Sequence, residues 1–306
     1  MTRRGATSAS ALLLVLWCVA VLSITILAVA RMVQSDVDDA GLRNRRVEAR
    51  ELALTGIAYG MHPKIDPWDP LLDAKFPGGA TLKVRVISEA SRIDINRALR
   101  EPRQAVLRQL FKNWGLDTDK ISVAVDSLAD WIDPDDMPRL NGAERSGLEQ
   151  QTQYSIPENR DFRSVSEMEK VRGMDLVAAV KPDWAKYFTV YGGRRLDLQD
   201  ASIDVLRAAG GLSEDQAAML DRVRRGADGA AQTKDDFKIK NVGEFLQKVG
   251  LPELQAQTVA ARFSVGMGPT RIESTARVGG TEYKIVAIAA RGAGGGESAL
   301  VQWEEQ

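Results

Sequence analysis

A chain of 306 residues that is 44% hydrophobic and 27% charged carries enough apolar material for one or two packed domains, which excludes disorder throughout. Its 41 basic and 42 acidic side chains nearly cancel, to −1, so no broad excess of one sign is available to hold nucleic acid or an anionic membrane surface. A single cysteine, Cys18, leaves no partner for an internal disulfide, and a single histidine, His62, removes zinc clusters and Ser-His-Asp catalysis.

The run Ala11–Ala30 holds 20 uncharged residues. As a helix rising about 1.5 Å per residue it would cross a hydrocarbon layer of about 30 Å. Arg3 and Arg4 precede it and predict a cytoplasmic N-terminus with the remainder outside. Cys18, inside the run, is expected to act as a small buried hydrophobe. Ala28-Val29-Ala30 has the small-x-small pattern of a removable secretory signal, but the apolar run exceeds the ~7–15 residues usual for one. Met32–Tyr59 contains no proline and spaces Val33, Val37, Ala40, Val47, Leu54 and Ile57 among charges, which predicts that the same helix continues beyond the membrane. His62 precedes Pro63 and marks an element boundary.

Arg3-Arg4-Gly5 followed by Ala6, then a hydrophobic helix prolonged into a polar one, resembles the type IV pilins and pseudopilins. The resemblance implies a leader of residues 1–5, cut between Gly5 and Ala6 by a prepilin peptidase. The retained helix would then serve as membrane anchor and assembly spine. Position five of the mature chain is then Ser10, where most of the family carries glutamate. That difference is itself a mark of the K-type minor pseudopilins of bacterial type II secretion systems.

Prolines at 63, 67, 70 and 77 and the pair Gly78-Gly79 separate this helix from Thr81–Ile87, whose alternation of Leu82, Val84 and Val86 with Lys83 and Arg85 predicts a half-buried strand. Near the C-terminus, Arg271–Val278 and Glu282–Ala289 flank Gly279-Gly280-Thr281 and predict a β-hairpin. Ala299–Trp303 adds a last short strand after the glycine-rich stretch 292–296. Between these strands, Ile93–Arg262 reads as helical and contains an internal repeat. Ile93-Asp94-Ile95-Asn96 is echoed by Leu196-Asp197-Leu198-Gln199, and Val171-Arg172-Gly173 by Val249-Gly250, each glycine expected to cap a short helix.

The first copy is longer by a polar loop near Asp133–Pro157. Asp130-Trp131-Ile132-Asp133-Pro134-Asp135-Asp136, with Asn141 and Glu144 beyond, gathers oxygen ligands of the kind a hard cation takes. Residue types alone leave two readings, a calcium site or a solvated acidic loop with helix-capping aspartates. K-type pseudopilins carry a similar D-W-x-D-x-D-D run leading to G-A-E, matched at Asp130, Trp131, Asp133, Asp135, Asp136, Gly142, Ala143 and Glu144. The resemblance implies calcium held by Asp133, Asp135, Asp136 and Glu144. Arg145-Ser146-Gly147-Leu148 departs from the family pattern.

The repeated turns around Gly173 and Gly250 also resemble helix-hairpin-helix elements, which supplies the alternative of a DNA-binding or DNA-uptake minor pilin. Residues 93–262 carry 25 basic and 28 acidic side chains, a net of −3, so no nucleic-acid partner is expected. No G-x-S-x-G, H-E-x-x-H or phosphate loop is present, and no enzyme is expected.

The expected fold is therefore α+β. A spine helix spans 6–62, with its membrane span at about 11–30. A pilin-like antiparallel sheet comes from 63–92 and 263–306, interrupted by an all-α repeat domain, 93–262. The resemblance implies a single-pass inner-membrane protein with its C-terminal domain in the periplasm, working as a structural subunit at the pseudopilus tip. Its implied partners are I- and J-type minor pseudopilins, the pseudopilus, the inner-membrane secretion platform, the prepilin peptidase, and secreted substrate or the outer-membrane channel.

Overall fold

A computed structural model describes residues 6–100, 102–145, 153–266, 268–290 and 299–305. The leader Arg3-Arg4-Gly5, the side chain of Ser10 and the glycine-rich stretch 292–296 lie outside the described residues.

Helix α1 runs unbroken through Ala6–Met61, 56 residues, or about 84 Å at 1.5 Å per residue. It passes straight through the Ala28-Val29-Ala30 pattern and stops where Pro63 forbids continuation, with His62 Nδ1 accepting the Lys64 N–H at 3.3 Å in the turn. From Leu13 to Val33 its large apolar side chains stand clear of the rest of the chain. Cys18 projects from this segment, clear of the rest of the chain. Ser23 and Thr25 satisfy their hydroxyls on the carbonyls of Val19 and Leu22, as polar groups in an apolar layer must.

The later half of α1 lies on a five-stranded antiparallel sheet of order β1-β2-β7-β8-β9, built from Asp73–Lys75 (β1), Thr81–Ser88 (β2), Thr270–Val278 (β7), Thr281–Ala290 (β8) and Ala299–Glu305 (β9). The contact stripe is not the whole set of apolar residues that marked the helix: Val33 and Val47 are exposed. Small residues make it instead. Ala49 and Ala53 are fully buried, and a Cβ on Gly56 would fall 2.2 Å from Ser274 Oγ and 2.8 Å from Leu82 Cδ1. At Gly60 it would fall 2.6 Å from Ile272 Cγ2. The helix thus lies closer to the strands than any larger side chain would allow. Ile57, Leu72, Leu82, Val84, Ile272 and Ile285 fill the space around the stripe.

β7 and β8 form the expected hairpin, with Gly279 (φ +52°) and Gly280 (φ +84°) supplying the two positive φ values a tight two-residue turn requires. β9 closes the far edge and is tied back to α1 by Glu305, which accepts two hydrogen bonds from the Arg50 guanidinium (2.9 and 2.8 Å) and one from Trp303 Nε1 (2.9 Å).

β2 and β7 pair along their full length, Thr81 with Arg277 through Ser88 with Thr270, although residues 89–269 intervene. That intervening chain is a second unit with its own core. Its helices are Ile95–Ala98 (α2), Gln104–Asn113 (α3), Thr118–Ile132 (α4), Met174–Val180 (α5), Ile203–Gly210 (α6), Glu214–Arg224 (α7), Val242–Val249 (α8) and Glu253–Arg262 (α9). The unit is not all-α. Ile93–Asp94 (β3) pairs in parallel with Phe188–Thr189 (β4), and Leu196–Asp197 (β5) with Phe263–Ser264 (β6), so each half is bracketed by a two-residue ladder and the unit closes at Ser264 rather than Arg262.

Of the two glycine turns, one differs from expectation. Gly250 (φ +75°) ends α8 as a C-cap, but Gly173 (φ +89°) opens α5 after a 3₁₀ helix over Val165–Lys170. A Cβ on Gly173 would lie 2.9 Å from Ala124 Cα, so that turn is pressed against α4. Both halves contribute to one core, with Leu107, Leu110 and Phe111 joining Val205, Leu206 and Leu220. Arg224, 3% exposed, donates Nη1 to the Leu198 carbonyl at 2.7 Å, Nη2 to that of Ala201, and Nε to Asp221 at 3.0 Å, fixing the 198–201 turn to α7.

Candidate functional site

The acidic loop grows out of the end of α4. Asp126 and Asp130, four residues apart, fall on one face of that helix and are buried, Asp130 completely. Asp126 is balanced by Arg108 Nη2 at 2.6 Å and by Asn141 Nδ2 at 3.1 Å. Asp133 ends the helix, and Pro134 prevents its continuation. The chain then turns back so that Arg139 donates its backbone N–H and its Nη1 to Asp130, the latter at 2.7 Å. The same Nη1 bridges to Asp133.

Gly142 sits where a Cβ would overlap Asp130 Oδ2 at 1.8 Å, so the glycine of the G-A-E run is required for the loop to close over that carboxylate. Arg172 holds the Gly142 carbonyl at 3.1 Å. Trp131 stacks on Phe162 with ring planes 4° apart, anchoring the helix end from the opposite side.

Of the four carboxylates expected to bind metal, Asp133 and Asp136 lie near enough to Glu144 to act, with Asp130, on its charge. Asp135 is exposed and accepts the Met137 N–H at 2.9 Å in a local turn. Asp136 takes Asn159 Nδ2 at 3.1 Å. Glu144 is 2% exposed. Burial first, and then the neighbouring charges of Asp130, Asp133 and Asp136, push its carboxyl up to about 7. Burial likewise raises Asp133, against the pull of Arg139.

Asp130 and Asp133 therefore share one guanidinium, that of Arg139, while Asp136 and Glu144 have no cation paired with them among the described residues. Three buried oxygens of this neighbourhood, Asp133 Oδ1, Glu144 Oε1 and Asn159 Oδ1, have no side-chain hydrogen-bond partner among the described residues. Such atoms are costly unless something supplies positive charge. Among the described residues no three acidic, histidine or cysteine side chains converge as a closed metal site, because Arg139 stands between Asp130 and Asp133. Arg139, Asp126 and Asn159 were not singled out from the sequence. The i, i+4 spacing of Asp126 and Asp130 was the available signal for one of them; nothing local pointed to the others.

Residues 85–186 match the family model described as type II secretion system (T2SS), protein K. A curated relative, type II secretion system protein K of Pseudomonas aeruginosa, is 25% identical over 240 residues, which cover 74% of this chain and 66% of that protein. Among solved structures, a chain of the GspK-GspI-GspJ complex of the type 2 secretion system from enterotoxigenic Escherichia coli superposes with a TM-score of 0.60 at 15% identity, covering 89% of this chain and 98% of that one. The fold is shared with that chain over most of the length of both.

Proposed function

We propose, for a chain whose residues 85–186 belong to the protein K family of type II secretion, that it works as a minor pseudopilin, a structural subunit of the periplasmic fibre. The observation that carries this reading is α1. One uninterrupted helix offers an uncharged segment whose large apolar side chains, from Leu13 onward, are free of contact with the rest of the molecule, while its other half is seated on a pilin-like sheet. An apolar half with no partner in its own chain is suited to the inner membrane and then to packing against the helices of other subunits. The remaining domains stand in the periplasm.

The solved complex of GspK with GspI and GspJ supports I- and J-type minor pseudopilins as partners. The secretion platform, the prepilin peptidase, and the outer-membrane channel or secreted substrate complete the set that this role requires. The helical unit leaves the sheet between β2 and β7 at the end away from the membrane, and its bulk suits one copy at the distal tip, where it helps to start the fibre through which folded proteins are exported. No catalysis by this chain is needed. The Gly173 turn, pressed against Ala124, offers no open hairpin to a phosphate backbone. N-terminal sequencing of membrane-bound protein tests the anchor: a mature start at Ala6 is expected, and a start at Arg31 on protein free in the periplasm would overturn it. Imaging assembled fibres with a label on the helical unit tests the position, and label repeated along the shaft would refute the tip.

The acidic cluster supports a calcium site in the same unit. The donors are hard oxygens, three of them lack partners among the described residues, and the carboxylates outnumber the cation beside them, which is the chemistry a calcium ion satisfies. Asp133, Asp136 and Glu144 would hold it, with Asp135 on the same loop and Asn159 contributing an amide oxygen. Bound calcium supplies fixed positive charge, which orders the loop; Arg139 competes for the same carboxylates. Thermal melts in calcium and in chelator test this, and identical midpoints would refute it.

A further inference from the structure

A second charged feature lies away from the acidic loop and has the opposite sign. A cleft of about 350 Å³ opens where the start of the helical unit meets the end of its second half, lined by β3, α2, the first turn of α3, residues 193–196 and the end of α9. Among the described residues its wall carries Arg92, Arg97, Arg103, Arg194, Arg195 and Arg262 against one acidic side chain, Asp94, a net of five positive charges in a unit whose overall charge is −3. Little of this charge is answered from within. Arg97 pairs with Asp94 at 3.3 Å, and Arg92 approaches Glu273 at 3.9 Å. Arg262 donates to the Ala209 carbonyl. Arg103, Arg194 and Arg195 are exposed and have no ion-pair partner among the described residues. Burial lowers the Arg92 guanidinium, and Arg271 and Arg85 press it the same way.

The first turn of α3 adds to the field. This ten-residue helix begins at the cleft with no acidic residue in its first turn and no side-chain cap, so the positive end of its dipole is not offset there. The floor is apolar, made by Ile93, Val106 and Leu196.

We infer that this cleft receives a carboxylate-rich peptide segment of a partner protein. All six cations are arginines, whose planar fork takes a carboxylate through two parallel hydrogen bonds. The volume and the apolar floor suit two or three side chains of an extended peptide rather than a single small anion. Nucleic acid is disfavoured because no aromatic ring lines the cleft to stack a base. A lipid headgroup is out of reach: Gly60, beside the strand ends from which the helical unit departs, is 30 residues beyond Ala30, about 45 Å along α1. The ligand is thus a protein segment that meets the helical unit beyond the reach of the membrane surface. This assignment does not depend on calcium or on the position in the fibre.

Full-length protein in detergent micelles, titrated with a fluorescein-labelled, end-capped hexaglutamate peptide, tests it. Binding is expected at low ionic strength, weakening as salt rises, and the hexaglutamine counterpart should not bind. The double variant Arg194→Glu with Arg195→Glu should weaken hexaglutamate binding by about tenfold or more, since two attractions become repulsions. Its thermal midpoint should not change, because neither side chain makes an ion pair. Arg103→Gln, a milder change in a different element, should weaken binding in the same direction. Undetectable hexaglutamate binding, or equal binding by the charge-reversed and parent proteins, would overturn the inference. So would a six-nucleotide oligothymidylate that binds as tightly as the peptide, which would make this a nucleic-acid site, or full displacement of the peptide by inorganic phosphate, which would make it a small-anion site.

Discussion

Replacing Glu144 by glutamine removes the carboxylate that the fold holds least comfortably. The group ionises near pH 7 in the folded chain against 4.5 for an unperturbed glutamate, because it is buried beside Asp130, Asp133 and Asp136. Between those two pH values the folded state holds the proton more tightly than the unfolded one. Stability therefore falls as pH rises from about 4.5 to about 7 and is level above that. At about 1.36 kcal/mol per pH unit the full loss is at most about 3 kcal/mol. Glutamine has the same shape and no charge, and its amide can donate to the surrounding carboxylates. In chelator, Glu144→Gln should therefore match the parent near pH 4.5 and exceed it by up to about 3 kcal/mol at pH 8, roughly 2–4 °C of midpoint for each kcal/mol. Calcium reverses the order. It stabilises the parent by about 2.7 kcal/mol at 100-fold excess over Kd and the variant by much less, because a ligand oxygen has lost its charge. Thermal melts of both proteins at the two pH values, with calcium and with chelator, give the eight midpoints needed. A variant less stable than the parent at pH 8 in chelator would refute the account of an uncompensated buried charge. Equal calcium gains in both proteins would place the ion elsewhere.

Gly56→Ala puts a Cβ within 2.2 Å of Ser274 Oγ and should cost about 1–3 kcal/mol by forcing α1 off the sheet; denaturant unfolding measures this, and no loss would refute the close approach. Arg224→Met leaves Asp221 with Arg225 alone and takes the donor from the carbonyls of Leu198 and Ala201, and should cost about 1–3 kcal/mol, read as a lowered melting midpoint. Gly142→Ala should disrupt the loop over Asp130, so proteolysis should cut within the acidic loop faster than in the parent. The same substitution at Gly280, whose Cβ meets open space, carries only the penalty of its positive φ and serves as the control.

The features legible in the sequence were those whose signal is local. The charge-free run Ala11–Ala30, the alternation in β2, the Gly279-Gly280 turn and the stop at Pro63 each depend on residues within a few positions of one another, and each lies where the pattern put it. The D-W-I-D-P-D-D order likewise exposed an acidic loop at a helix end. The rest needed the tertiary structure, because it depends on partners distant in sequence. Gly56 and Gly60 look like weak points of a helix until Ser274 and Ile272 are seen against them. Gly173 reads as a C-cap until Ala124 fills the space beside it. Whether Asp133 and Glu144 are solvated, paired or strained is a question of what surrounds them, and Arg139, Asp130 and Asn159 answer it only once the loop has folded back. The arginine cleft is the extreme case: its cations come from 92–103, 194–195 and 262, stretches that near-neutral composition hides, and only the packing of the first half of the unit against the second brings their charges into one field.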